Sequence, residues 1–60
     1  MVLPSDPFML LSVVNTKLRD FYPSPEALAE GEDLSAEEIT EKLLKIGYVY
    51  DKKLNRFTTK

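Results

Sequence analysis

Residues 24–50, SPEALAEGEDLSAEEITEKLLKIGYVY, decide the fold of this chain. Ser24-Pro25 is a helix start: a serine hydroxyl accepts from the free N–H groups of a first turn, and proline supplies the fixed φ of the first helical position. Gly31 offers a left-handed stop, so this helix covers about residues 25–30, with Ala27, Leu28 and, at the margin, Ala29 turned inward. The next start is the strongest local signal. Ser35 and Glu38 form a capping box, and Leu34 and Ile39 are spaced to staple it. The helix it begins runs over residues 36–46, with Ala36, Ile39, Leu43 and Ile46 as its apolar stripe and Glu38–Lys42 and Glu41–Lys45 as pairs on its outer face. Gly47 ends it with a positive φ, and Tyr48 is placed to pack on Leu43. Tyr48-Val49-Tyr50 then switches to a period of two, the mark of a strand.

Outward from this stretch, Asp6-Pro7 repeats the start signal and predicts a first helix over residues 7–21. At 100° per residue Leu10, Leu11, Val14, Leu18, Phe21 and Tyr22 share one arc, which is the expected core face. Met9 and Val13 fall outside it, one turn apart. Either Val2 and Leu3 fold back over them or they meet another molecule. At the other end, residues 56–59 can return alongside 48–50 through Asp51-Lys52-Lys53-Leu54-Asn55, a turn closed by a left-handed Asn. The expected fold is mainly α: three short helices in a helix-turn-helix-like arrangement plus a C-terminal two-stranded β-hairpin at about residues 48–58, one domain in all.

Composition narrows the function classes. There is no Cys and no His, so neither disulfides nor a zinc site can reinforce a small core, and association with a second subunit is the reinforcement that remains. The apolar run from Phe8 to Val14 is too short to span a bilayer, and the first residues lack the basic region of a signal peptide, which gives a cytoplasmic expectation with no membrane partner. The net charge of −2 is uneven. Residues 23–46 carry seven acids against two lysines, and residues 47–60 carry four bases against one acid.

Three blocks, LPSDPFMLLSVVNTKLRD at 3–20, IGYVYD at 46–51 and NRF at 55–57, resemble a family of very short bacterial proteins, domain of unknown function 4250. The resemblance covers almost the whole chain and implies no activity, cofactor or catalytic residue.

Read for chemistry, the residues disfavour catalysis. Without His, Cys or a Gly-rich phosphate loop, no nucleophile has a base beside it, and no cofactor is expected. Glu32, Asp33, Glu37, Glu38 and Glu41 lack the loop spacing of a calcium site and read as caps and a solvated face, so no metal is expected. Asn15, Thr16, Lys17, Arg19 and Asp20 form a polar cluster that either grips an anion or docks the first helix, with Asn15 on neighbouring backbone and Arg19 on an acid of a later helix. Tyr48, Tyr50 and Phe57 read as the lid of the core in preference to a stacking platform. The structural residues are Asp6, Pro7, Ser35, Glu38 and Gly47.

Two functions remain. The first is a non-catalytic protein-protein interaction or self-association module, with an unidentified protein partner or a homodimer, through Met9 and Val13 or through Glu37 and Glu41. The alternative is a weak nucleic-acid-binding module resembling a miniature winged helix, touching phosphate with Lys52, Lys53 and Arg56. Charge disfavours it, because Glu37, Glu38 and Glu41 occupy the helix face that would enter a groove.

Overall fold

A computed structural model describes residues 4–60. Three helices, α1 (Pro7–Asp20), α2 (Pro25–Glu32) and α3 (Ala36–Leu44), precede an antiparallel hairpin of β1 (Tyr48–Asp51) and β2 (Arg56–Thr59). The chain is mainly helical with one small sheet, and residues 33–35 make the turn of the helix-turn-helix-like pair α2 and α3. Val2 and Leu3, the suggested cover for Met9 and Val13, lie outside the described residues.

Each helix begins where its cap residue stands. Asp6 accepts from the Phe8 N–H at 2.8 Å, Ser24 from Ala27 at 3.1 Å and Ser35 from Glu38 at 3.3 Å. These bonds satisfy N–H groups that a helix leaves free at its first turn. Only the serine half of the capping box is closed among the described residues, since the Glu38 carboxylate turns to Lys42 at 3.3 Å. The Glu41–Lys45 pair is not within ion-pair distance among them.

The helix ends depart from expectation. α1 stops at Asp20, and Phe21 leaves the helical track at φ −129°, which carries its ring away from the core arc to 70 % exposure. The correction for α2 concerns Gly31, which is inside the helix. Asp33, at φ 58° and ψ 51°, is the left-handed cap. Aspartate tolerates that region better than most side chains. Gly31 is needed for a different reason: a Cβ there would stand 2.5 Å from Cε1 of Tyr22, whose ring lies across it. α3 ends at Leu44, two residues short of Ile46, and Gly47 turns the chain into β1 with φ 82°.

That turn gives a measurable expectation. Nothing lies within 4 Å of where a Cβ on Gly47 would stand, so Gly47→Ala meets backbone strain alone. It should lower stability by about 1–2 kcal/mol, the cost of a left-handed L-residue, and appear as a lower urea midpoint at unchanged slope. Equal midpoints would show that the turn relaxes.

The core lies where the three helices meet one face of the hairpin. Leu10, Val14, Leu18, Leu28, Ile39, Leu43 and Phe57 are buried together, with Leu11, Tyr22, Leu34, Ile46, Tyr48 and Tyr50 packed against them. Full burial of such side chains contributes about 1.5–3 kcal/mol each, and a lone hairpin would be marginal without this support.

Candidate interaction surfaces

Two side chains of the polar cluster of α1, Asn15 and Lys17, tie it to other elements. The Asn15 carboxamide faces β2: its Nδ2 donates to the Phe57 carbonyl at 3.1 Å, and its Oδ1 accepts from the Phe57 N–H at 2.8 Å. A side chain has thus taken the place of a neighbouring strand's peptide group. This corrects the expectation that Asn15 serves neighbouring backbone. Arg19 also differs from expectation, pairing with adjacent Asp20 at 2.9 Å through two parallel bonds and not with a later helix. That bond, with the attraction behind it, raises the Arg19 pKa and lowers that of Asp20. Lys17 makes the link to α2, 3.7 Å from Glu32. Glu32 also accepts from the Tyr22 hydroxyl at 2.6 Å, which lowers its own pKa and raises that of the tyrosine.

Asn55, expected only to close the hairpin turn, is a second fastening point. With φ 51°, it aims its Nδ2 at the carbonyls of Leu18 and Tyr22, both at 3.0 Å, and its Oδ1 accepts from the Tyr50 hydroxyl at 2.6 Å. It therefore closes the C-terminal end of α1 from 37 residues away. Tyr50 and Phe57 pack with ring centroids 5.6 Å apart, and Phe57 is only 2 % exposed, so the aromatic trio covers the core. Burial, followed by the charges of Glu26 and Asp51, pushes the Tyr50 hydroxyl pKa up.

Three surfaces remain. On the first turns of α1, Phe8 and Met9 are each 60 % exposed, and Val13 is half-buried. The helical wheel that sets Met9 outside the core arc sets Phe8 outside it as well. The second surface is a groove of about 640 Å³ between the N-terminal ends of α2 and α3 and Tyr50, with Glu26, Glu37 and Glu41 on its rim. Glu37 and Glu41 are brought together here, away from Met9 and Val13, which do not line it. The third is the hairpin loop. Lys52, Lys53 and Arg56 are exposed, and Arg56 shares a groove of about 470 Å³ with Ser12, Thr16, Arg19 and Leu54.

Among the described residues no group of three or more acidic side chains is arranged to hold a metal ion, and no helix is long and apolar enough to cross a membrane. Neither the curated proteins nor the solved structures give a match to this chain. The caps at Asp6, Ser24 and Ser35, the Asn15 bonds to β2 and Phe57 itself all fall within residues 4–57, which match the model of the domain of unknown function DUF4250, and the chain belongs to that family.

Proposed function

We propose that the protein is a non-catalytic interaction module that self-associates through the start of α1. The observation that supports this reading is the pair Phe8 and Met9, two large apolar side chains at 60 % exposure on adjacent positions, with Val13 one turn on. Grouped apolar side chains on a small domain mark an association site, and a core cluster of only seven buried residues among those described leaves stability to be gained by covering them. Catalysis gains no support from the geometry. The hydroxyls of Ser24 and Ser35 are engaged as caps, and the Thr40 hydroxyl donates to the Ala36 carbonyl at 2.9 Å. The nucleic-acid alternative draws on exposed Lys52, Lys53 and Arg56, and is weighed down by exposed Glu37 and Glu41 on α3.

Light scattering across a concentration series tests the reading. The mass should rise from the 6.9 kDa of one chain toward twice that value, and the variant carrying Phe8→Lys and Met9→Lys should stay at one chain with its circular dichroism unchanged. A wild-type mass that stays at one chain up to millimolar concentration would remove self-association, and retention on heparin that falls steeply with salt would favour the phosphate-binding alternative.

A further inference from the structure

The two edges of the hairpin are finished differently. On β2, the Asn15 carboxamide fills the edge by bonding both backbone groups of Phe57. Those bonds also fix the phase of the ladder. Because the N–H and C=O of Phe57 point away from β1, the same groups of its partner Tyr50 point away from β2, as they must at a non-bonded position of an antiparallel pair. At the other end the Lys60 N–H donates to the Gly47 carbonyl at 3.2 Å, which places Tyr48 in the same phase as Tyr50. The backbone groups of Tyr48 and Tyr50 therefore line the outer edge of β1, and among the described residues they have no hydrogen-bond partner. An unpaired edge of this kind is a template for another extended chain.

Tyr50 also lines the groove of about 640 Å³. Its lining is mostly apolar, with Pro25, Ala36, Thr40 and Tyr50, and the charged residues on it, Glu26, Glu37 and Glu41, are all negative. None of the three is in an ion pair among the described residues. A mostly apolar groove with acidic residues along it matches a lysine or arginine side chain, whose methylene stem prefers apolar contact while its cationic head seeks carboxylates, and a tyrosine attracts such a cation further.

We propose that β1 and this groove bind an extended segment of a partner protein with Lys or Arg at alternating positions. Its backbone pairs with Tyr48 and Tyr50, and alternate side chains, which fall on one side of a strand, reach Glu26, Glu37 and Glu41. A second copy of β1 is the poorer occupant: Tyr-Val-Tyr-Asp would bring a carboxylate, and no cation, to three others. Nucleic acid would set phosphates against the same rim. The proposal rests on the interaction-module reading and uses a surface separate from the start of α1.

The test is a titration of the 15N-labelled full chain, below its association range, with acetyl-Lys-Val-Arg-Val-Lys-amide. The same peptide N-methylated at every backbone amide and a version with Glu at the three basic positions serve as comparisons. The basic peptide should shift and protect the Tyr48 and Tyr50 amides, with affinity that falls as salt rises, and both comparison peptides should bind about tenfold more weakly or worse. Glu37→Lys with Glu41→Lys should weaken the basic peptide by a similar factor in a chain whose spectrum stays dispersed. If that pair does not fold, the peptide comparison on the wild-type chain decides. Equal binding of the N-methylated peptide, equal binding of the acidic one, no binding, or shifts confined to residues away from Tyr48 and Tyr50 would each overturn the proposal. The same Tyr48 and Tyr50 shifts on concentrating the protein alone would overturn it in favour of a second copy. The mass measurement reports on α1 independently, so loss of peptide binding in a chain that still self-associates removes this proposal and leaves the other standing.

Discussion

Asn15→Leu is expected to destabilise the domain by about 2–4 kcal/mol, although it adds apolar surface next to the core. The substitution removes two hydrogen bonds at once and leaves the Phe57 N–H and C=O without partners in a partly buried site. Each such orphaned group costs about 1–3 kcal/mol, which is why losing one side of a hydrogen bond hurts more than its net worth suggests. The total stability of a chain of this length is roughly 3–9 kcal/mol, so a large share of it is at stake. Urea denaturation measures the loss directly, and hydrogen exchange at the Phe57 amide should accelerate as well. Asn15→Asp should fall between wild type and leucine, because a carboxylate still accepts from the Phe57 N–H and offers nothing to its carbonyl. A leucine variant within 0.5 kcal/mol of wild type, the usual range for a surface change, would mean that water replaces the carboxamide.

Asn55→Ala should cost about 3 kcal/mol, through two separable causes. Three side-chain bonds disappear, to Leu18, Tyr22 and Tyr50, and alanine must also hold the positive φ that Asn accepts more readily. Asn55→Gly separates them. Glycine adopts φ 51° freely and makes none of the bonds, so it should recover about 1 kcal/mol of the loss and no more. If glycine restored wild-type stability, the bonds would carry nothing and the turn geometry everything.

The elements that could be read from sequence are those whose cause is local. Asp6, Ser24 and Ser35 each bond an N–H two or three residues on, so the helix starts were visible in short stretches. The two glycines divide on the same ground. Gly47 ends its helix through its own φ, whereas Gly31 answers to the Tyr22 ring nine positions earlier, and a sequence presents both simply as glycine. Phe21 was misplaced because a helical wheel holds only while the helix lasts, and α1 stops one residue before it. The fastening side chains were the least legible. Asn15 meets Phe57 at a separation of 42 residues, and no periodicity or spacing rule selects that partner over water. For the surfaces, Met9 could be read from the wheel and Phe8 with it. The unpaired edge of β1 could not, because which edge stays unpaired depends on which one Asn15 fills.

The span of these bonds bears on how the protein is made. Translation releases a chain from its N-terminus, so the three helices leave the ribosome before Asn55 and Phe57 are available to Leu18, Tyr22 and Asn15. Helices of this length are marginal on their own in water, and until β2 is in place the core cluster lacks Phe57. A chain in which residues 55–57 are not yet in place leaves apolar residues of the three helices uncovered, the kind of surface on which chaperones and proteases act. Substitutions in residues 55–57 should accordingly lower cellular abundance more than changes of equal volume at the start of α1, since they remove long-range bonds and the buried Phe57 ring.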